Sequence, residues 1–511
     1  MEKYHYIVVG AGTAGSVVAA RLSEDASVRV LLLEAGSSER PGDEKGVVDL
    51  WGSRFDWAFS SVPQKGLDGV TVPVPLGRAL GGSSSINGLY HIRGHRSSYD
   101  AWAESGAQGW DFEALLDSFR RSERTTGMDP QWRGTDGPIV IEPPTPLSHD
   151  AFYRAVLNAA EEAGHKSLVD GNGAESEGVT PTEINLVRGK RQSAADAYVR
   201  PVQHRPNLTV TTDATVHRLV MEGRRCAGVE YVVDGRSVRA VADRDVVLCA
   251  GAVGSPHLLQ LSGIGPGAHL RGAGVEVVHD LPGVGGNLQD HTYAHVGFAT
   301  AAPVPATSPY PPRVLTRTSP TAEPDLQLVA VPLLLPVRGA DARREPWGSA
   351  AWAPSGVHGY SIAFSSMRPE SLGSVRPAGP DPAASPLIDL GLYTEPRDLD
   401  RMVAGLRAAL AIGRADALAP WRRGEEAFGH PLETADDMRE YVKRATGSYF
   451  HLAGTCAMGA GRQAVVGSDL KVHGIQGIRV ADASVMPSLP SANTNATVLA
   501  VAERAAELIR T

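Results

Sequence analysis

Cysteine is scarce in this sequence. Three residues, Cys226, Cys249 and Cys456, occur among 511, and no two of them form a CxxC pair. An odd and widely spaced set argues against a disulfide framework and offers no ligand pattern for a structural zinc ion. We therefore expect a protein of a reducing compartment that has no metal site.

Long apolar runs and blocks of basic residues are also lacking. No apolar stretch reaches the roughly 20 residues that a membrane-spanning helix needs. The formal net charge is -8, and no run of Lys or Arg favours nucleic acid or a membrane surface. The first apolar run begins at Tyr6, which leaves no room for a signal peptide. We therefore expect a cytoplasmic protein with neither a nucleic-acid nor a membrane partner.

Glycine, by contrast, is concentrated near the start of the chain. The stretch YIVVGAGTAGSVVAARLSEDASVRVLLLEAG covers residues 6–36. Its apolar, β-branched runs predict buried parallel strands over 6–9 and 28–33, with a helix over 14–23 between them. A strand, a glycine-rich turn, a helix and a second strand are typical of a dinucleotide-binding unit.

Three glycines and one acid in this unit have the spacing that phosphate and ribose recognition requires. Gly10 suits the tight turn, Gly12 lets backbone approach a pyrophosphate, and Gly15 lets the helix pack close to the strand. Glu34 follows Gly15 by 19 residues and is placed to accept hydrogen bonds from an adenosine ribose. An acid at this position disfavours a 2′-phosphate. The stretch alone leaves NAD and FAD open.

The remaining chain mixes helical and strand patterns, and it is too long for one ordinary core. Helical spacing covers residues 111–124, 148–164, 398–415 and 496–509. Residues 206–251 alternate apolar and polar positions between turn signals, which predicts a β-meander that closes with a strand over 245–250. Residues 301–347 are rich in proline and poor in periodicity, so we interpret them as a lid or a long connection.

Four separated stretches resemble the glucose–methanol–choline (GMC) oxidoreductases. They are the opening fingerprint, GRALGGSSSIN (77–87), GAVGSPHLLQLSGIG (251–265) with LPGVGGNLQDH (281–291), and the C-terminal pair HLAGTCAMG (451–459) and RVADASVMPSLPSANTNATVLAVAERAAELI (479–509). The stretches follow the family's order along nearly the whole chain, and only the middle, residues 301–446, matches weakly. The resemblance implies that the dinucleotide is FAD.

The resemblance also implies a fold and a division into domains. The fold class is α/β with mixed α+β character: a Rossmann-like FAD-binding domain carries an inserted substrate domain built on an antiparallel sheet flanked by helices. We expect the FAD-binding domain to comprise residues 1–148, 193–298 and 446–511. The substrate-binding domain would then comprise residues 149–192 and 299–445.

Positions that match the family's motifs, together with the opening unit, form the predicted cofactor site. They are Gly10, Gly12, Thr13, Ala14, Gly15, Glu34, Ala35, Arg78, Gly81, Gly82, Ser83, Asn87, Gly88, Val216, Ala250, Gly251, Asp482, Ala483, Asn495 and Ala496. An isoalloxazine needs backbone N–H donors around its polar edge, and we expect Gly81, Gly82, Ser83 and Asn87 to supply them. Some members attach FAD covalently through a histidine where this chain has Ile86, so we expect noncovalent FAD.

The chemistry of alcohol oxidation points to two further residues. A hydride leaves carbon while a proton leaves oxygen, and histidine suits the second task because its pKa lies near the working pH. By resemblance, His451 in HLAGT is the catalytic histidine. Asn493 in SANTNA matches the second member of the active-site pair, which is His or Asn in this family. Asn at that position leaves His451 as the base and Asn493 as a group that orients the hydroxyl.

Other conspicuous residues receive plainer interpretations. We expect His291 to be structural near the flavin, Asp290 to cap a turn, and Cys456 to be inert packing. Trp51, Phe55 and Trp57 either wall a pocket or pack in a core. Tyr90 and Arg93 are candidates for contact with a polar substrate.

The predicted function is FAD-dependent oxidation of an alcohol to an aldehyde or ketone. The hydride goes to flavin N5 with His451 as base, and the electrons pass to O2 or to a quinone-like acceptor. The alternatives are a flavin-containing lyase on the same fold, a flavin-binding protein without turnover, and a nicotinamide-dependent dehydrogenase. No anionic box for a quaternary amine stands out. We therefore favour a primary alcohol of a sugar-like or aromatic metabolite over choline.

Overall fold

The computed structural model describes residues 3–42, 47–142, 150–306, 308–335, 337, 357–423 and 432–510. The helices are α1 Thr13–Leu22, α2 Val47–Leu50, α3 Arg96–Glu104, α4 Phe112–Ser122, α5 Ala151–Glu162, α6 Gly251–Leu261, α7 Gly267–Gly272, α8 Pro396–Arg414, α9 Ala435–Ala445 and α10 Asn495–Arg510. Among these described residues, no helix is long and apolar enough to cross a membrane.

The strands form two large sheets and several short pairs. The strands are β1 Lys3–Val9, β2 Val30–Leu33, β3 Phe59–Ser60, β4 Pro73–Val74, β5 Glu123–Arg124, β6 Ile139–Val140, β7 Gly178–Pro181, β8 Leu186–Val187, β9 Lys190–Arg191, β10 Leu208–Thr211, β11 Thr215–Glu222, β12 Arg225–Val233, β13 Arg236–Leu248, β14 Ile264–Gly265, β15 His279–Asp280, β16 Thr292–Thr300, β17 Pro312–Thr316, β18 Leu326–Val331, β19 His358–Ser366, β20 Ser374–Arg376, β21 Leu387–Asp389, β22 Gly447–Ser448 and β23 Ile478–Val480.

The first large sheet has the order β10-β2-β1-β13-β12-β11, and β23 pairs with β13. The pairs among β10, β2, β1, β13 and β23 are parallel. All four residues of β2 are buried, as expected for a parallel strand covered on both faces. Helices α1 and α10 pack together, where Arg21 and Glu503 form an ion pair at 2.9 Å. This sheet and its helices are the predicted Rossmann-like unit.

Strand β13 joins two predicted elements into one. Its first half pairs antiparallel with β12, and its second half pairs parallel with β1. The strand predicted over 245–250 is therefore the continuation of the last strand of the meander. The sequence hides this continuity because the pattern of exposure changes along the strand. Buried and exposed residues are mixed in the first part of β13, whereas all of Val246–Leu248 are buried.

The second large sheet is antiparallel, with the order β22-β16-β19-β18-β17-β7. One face carries Phe298 and Phe364 and is covered by α8, whose Gly405 and Gly413 leave room for the two rings: a Cβ at Gly413 would lie 2.0 Å from Phe298 Cζ. Because side chains alternate along a strand, the other face carries Tyr293, Val329 and Ala363, among others. The predicted fold class is confirmed.

Two features of this sheet differ from the sequence-based picture. β17 and β18 lie within residues 301–347, so this stretch is more than a lid or a connection, although residues 338–347 lie outside the described part of the chain. Prolines at the start of β17 and after β18 hide the strand pattern. β16 crosses the boundary predicted between residues 298 and 299, and the exact division into domains stays a prediction.

Candidate active site

A cavity of about 840 Å³ lies at the carboxyl ends of four parallel strands of the first sheet. Gly10 follows β1, Glu34 follows β2, Ala250 lies two residues beyond β13, and Asp482 lies two residues beyond β23. All four residues line the cavity. This is the edge at which open parallel sheets bind their ligands.

The glycine-rich turn brings backbone close to the cavity. Gly10 has a φ of +92°, which only glycine adopts readily. A Cβ at Gly15 would lie 1.8 Å from the Gly10 carbonyl oxygen, and a Cβ at Gly82 would lie 2.6 Å from Gly12 Cα. The helix, the strand end and the second glycine block therefore touch through backbone, and the N-terminus of α1 opens into the cavity.

Glu34 is held by the backbone at this end. It is 6% exposed and accepts hydrogen bonds from Ala11 N at 2.9 Å and from Gly36 N at 2.8 Å. Burial, only partly offset by these two N–H groups, raises the pKa of Glu34 to about 7. The carboxyl group lies at the end of β2, as the sequence predicts.

Asp482 and Asn495 tie the C-terminal segment to the rest of the site. Asp482 accepts hydrogen bonds from Gly251 N at 2.8 Å and from the hydroxyl groups of Ser255 and Ser484 at 2.6 Å. Asn495, the first residue of α10, accepts a hydrogen bond from Thr13 Oγ1 at 3.0 Å. The starts of α1, α6 and α10 are thus fixed around one cavity.

At the other end of the cavity, His451 lies on the loop after β22. The carboxylate of Asp290 accepts hydrogen bonds from the backbone N of His451 at 2.9 Å and from the Ser448 hydroxyl. Burial raises the pKa of Asp290 to about 7. Asp290 therefore fixes the loop that carries His451, a more specific task than the turn cap predicted for it.

Both ring nitrogens of His451 meet polar side chains. Nε2 lies 3.1 Å from Asn493 Nδ2, and Nδ1 lies 2.9 Å from Nδ1 of His291. Burial, followed by the neighbouring His291, holds the pKa of His451 well below its usual value. The imidazole is therefore neutral at neutral pH and can accept a proton.

Gln327, which sequence reasoning missed, positions the amide of Asn493. Its Nε2 donates to Asn493 Oδ1 at 3.1 Å and to the Tyr449 hydroxyl at 3.1 Å. The signal was a single polar residue in the apolar strand LQLVAV of β18. The alternation of that strand turns Gln327 towards the cavity face together with Val329 and Val331.

Aromatic rings wall the cavity around His451. Tyr90, Tyr293, Tyr449, Trp51 and Phe450 all line it. The ring centroids of Tyr449 and His451 are 4.5 Å apart, and those of Tyr293 and Tyr449 are 5.1 Å apart. Burial raises the pKa of each of the three tyrosines, so this wall is uncharged.

Trp57 also lines the cavity, whereas Phe55 packs with Leu50, Ala79 and Ile86 in a small core. The sequence left both interpretations open for these aromatic residues. Trp57 walls the cavity, Phe55 packs in a core, and Trp51 does both.

Arg93 lies elsewhere. Its guanidinium donates to Glu123 Oε1 at 2.7 Å and to the carbonyl oxygen of Trp132 at 2.6 Å, in a buried ion network that also holds His91 and Arg133. Arg93 does not line the cavity that contains His451. The prediction that it meets the substrate there is therefore wrong.

Comparison with known proteins identifies the family. Two family models, both described as GMC oxidoreductase, match residues 4–293 and 369–502. The chain belongs to the GMC oxidoreductase family. The resemblance noted from the sequence is thereby confirmed, and the protein is an FAD-dependent oxidoreductase that acts on CH–OH donors.

Three relatives place the chain within the family. It is 33% identical to an oxygen-dependent choline dehydrogenase of Pseudomonas putida, over 100% of this chain and 94% of that protein. It is 34% identical to the human mitochondrial choline dehydrogenase, over 100% of this chain and 90% of that protein. The crystal structure of a pyridoxine 4-oxidase from Mesorbium loti superimposes with a TM-score of 0.91 at 34% identity, covering 99% of this chain and 98% of that one.

The residues around the cavity of this GMC oxidoreductase fit FAD. Its lining contains most of the positions predicted to bind the cofactor, together with both predicted catalytic residues: Gly10, Gly12, Thr13, Ala14, Glu34, Ala35, Arg78, Gly82, Ser83, Asn87, Gly88, Val216, Ala250, Gly251, His451, Asp482, Ala483, Asn493 and Asn495. Gly15, Gly81 and Ala496 are buried and are not among the residues that line the cavity. Ile86, the residue that leads us to expect noncovalent FAD, lines the cavity as well, and noncovalent attachment stays a prediction.

Two of the predicted N–H donors are already engaged. Gly81 N donates to the Ala11 carbonyl at 2.8 Å, and Gly82 N donates to the Ala79 carbonyl at 2.7 Å. The expectation that these two N–H groups face the flavin is therefore wrong. The glycines serve instead to let the second block approach the turn after β1, while Ser83, Asn87 and Gly88 reach the cavity.

Proposed function

We propose that His451 removes the hydroxyl proton of a primary alcohol through Nε2 while Asn493 holds the substrate oxygen. The observation that carries this proposal is the 3.1 Å approach of Asn493 Nδ2 to His451 Nε2 at the cavity wall. FAD bound in the cavity supplies the acceptor for the hydride that leaves the carbon. A positioned base contributes about 10²–10⁴-fold to the rate.

The surroundings of His451 support its role as a base. Its lowered pKa keeps the imidazole neutral at neutral pH, so that one ring nitrogen can accept a proton. Asn493 carries no ionisable proton, and Gln327 holds its oxygen. Its amide nitrogen therefore faces the base, next to the position that we propose for the substrate oxygen. The aromatic wall places apolar surface beside the base, and interactions between polar groups are stronger in such surroundings than in water.

We further propose an aromatic primary alcohol as the substrate class. The wall next to His451 consists of aromatic and small apolar side chains. In the described part of the chain, the acids that line the cavity are Glu34 and Asp482, and both follow strands of the first sheet. A planar ring gains from stacking on such a wall, as the name of the pyridoxine oxidase relative also suggests.

Choline is the second candidate, because two of the relatives described above, at 33% and 34% identity, are choline dehydrogenases. Aromatic faces also bind quaternary ammonium groups, so choline is included among the alcohols tested. FAD held noncovalently beside Ile86, O2 or a quinone-like group as the acceptor, and a cytoplasmic location are the further predictions that complete the proposal.

The experiment is anaerobic mixing of the purified yellow protein with benzyl alcohol, a pyridylmethanol or choline, followed by flavin absorbance. We expect rapid bleaching with the aromatic alcohols and slower bleaching with choline. His451→Ala should stay yellow and bleach at least ~100-fold more slowly. The control is His358→Ala, which removes an exposed histidine at the start of β19. Full-rate bleaching by His451→Ala would refute the base, and faster bleaching by choline would refute the substrate class.

A further inference from the structure

His291 lies behind the base, away from the cavity. It is fully buried and does not line the cavity. Its ring meets that of His451 edge to face, with centroids 5.1 Å apart and planes at 84°. The contact joins Nδ1 to Nδ1 at 2.9 Å, so one nitrogen must donate and the other must accept.

Neighbouring groups determine which histidine donates. Gln327 Nε2 donates to Asn493 Oδ1, which directs the amide N–H groups of Asn493 towards His451 Nε2. Nε2 is therefore an acceptor, and a neutral His451 carries its single proton on Nδ1. It follows that Nδ1–H of His451 donates to Nδ1 of His291.

The proton of His291 then lies on its Nε2. The backbone carbonyls of Met367 and Pro490 interact with the His291 ring, and Nε2 has no hydrogen bond of standard geometry to any described residue. Burial lowers the pKa of His291 to about 3. His291 is thus a neutral acceptor throughout the range in which the enzyme would work.

We propose that His291 is a positioning residue that holds His451 in the Nδ1–H tautomer, so that Nε2, which lies beside Asn493, keeps a lone pair for the proton of the substrate hydroxyl. This inference rests on the function proposed above. In the opposite tautomer Nε2 carries hydrogen and cannot take the proton. After the proton moves from the substrate oxygen to Nε2, Nδ1–H remains in place and still donates to His291, which stabilises the imidazolium.

The other ionisable groups that face His451 do not perform this task. Asp290 accepts from the backbone N of His451, not from the ring. Tyr449 lies against the ring face and receives its hydrogen bond from Gln327. His291 is the side chain that meets Nδ1.

Two substitutions at position 291 separate orientation from packing. His291→Asn keeps an acceptor oxygen close to the position of Nδ1, whereas His291→Phe keeps the ring and removes the acceptor. We expect His291→Phe to slow anaerobic flavin reduction by on the order of 10–100-fold with little change in KM. Losses of this size follow when a hydrogen-bond partner that orients a metal-ligating histidine is removed. His291→Asn should stay within about threefold of the parent protein, since it retains one hydrogen bond.

A direct readout is the ¹⁵N spectrum of histidine-labelled protein, which distinguishes the two tautomers without turnover. We expect the Nδ1–H form for His451 in the parent protein and in His291→Asn, and the Nε2–H form in His291→Phe. Parent-like rates in His291→Phe, equal losses in both variants, or an Nε2–H tautomer in the parent protein would each overturn the inference. If His291→Phe does not fold, the spectrum of the parent protein still decides. Full-rate bleaching by His451→Ala would instead overturn the proposed function itself.

Discussion

Three side chains decide how the base is presented to the cavity. Asn493 meets one nitrogen of His451, His291 meets the other, and Gln327 fixes the orientation of Asn493. None of these contacts is local in sequence, since β18, the loop before β16 and the segment before α10 all contribute. The sequence motifs identified His451 and Asn493, but no motif marked Gln327 or the contact between His451 and His291.

Gln327→Leu tests whether the side chain on β18 positions Asn493 beside His451. The variant removes the donor to Asn493 Oδ1 and leaves a buried amide oxygen unpaired, which costs about 1–3 kcal/mol. We therefore expect flavin reduction to slow by on the order of tenfold while the protein remains yellow.

Ser365→Ala is the matched control for Gln327→Leu. Ser365 pairs with Gln327 across β18 and β19 on the same face of the sheet, and its hydroxyl has no hydrogen-bond partner among the described residues. Rapid-mixing absorbance should show a parent-like rate for this control. Equal rates in the two variants would mean that Gln327 does not hold Asn493.

At the scale of secondary-structure elements, close backbone approach fixes the dinucleotide end of the cavity. Gly15→Ala places a Cβ 1.8 Å from the Gly10 carbonyl oxygen, so α1 must move away from the end of β1. Overpacking of this kind typically costs about 1–3 kcal/mol. We expect a lower melting temperature and loss of FAD from the purified protein.

Gly272→Ala, at the end of α7, is the control for this prediction. A Cβ there meets nothing within 4 Å, and alanine is about 1 kcal/mol better than glycine within a helix. Its melting temperature and its ratio of FAD to protein should equal or exceed those of the parent protein. Parent-like values for Gly15→Ala would contradict the proposed packing.

Prediction at this scale succeeded where local pattern and motif agreed. The predicted helices over 111–124, 148–164, 398–415 and 496–509 correspond to α4, α5, α8 and α10 with shifts of a few residues at their ends. Strands β17 and β18 were missed because prolines flank them and their partners are distant in sequence. The sequence pattern split β13 into two predicted strands, because the strand pairs first with β12 and then with β1 and its exposure changes at that point.

For the molecule as a whole, two sheets meet at one cavity and each contributes a different part of the reaction. The parallel sheet supplies the turn, the acids and the helix starts that fit FAD. The antiparallel sheet supplies the aromatic wall and the support for Asn493. Family motifs predicted the first contribution from sequence, whereas the second depends on pairing between strands that no motif describes.

The pH dependence of anaerobic flavin reduction tests the central claim, proton removal by Nε2 of His451. Burial lowers the pKa of His451, so its neutral form persists as the pH falls past about 6.5, the usual value for histidine. The rate should therefore stay level through neutral pH and decline only below that value. Asp290 and Glu34, whose pKa values burial raises to about 7, are other groups in this range. Asp290 is the one that contacts the His451 backbone, and Asp290→Asn should retain the acid decline.

The same measurement on His451→Ala completes the test. We expect the acid decline to disappear in this variant, leaving a slow rate without that inflection. An unchanged decline in His451→Ala, or one that disappears only in Asp290→Asn, would contradict the assignment of the base.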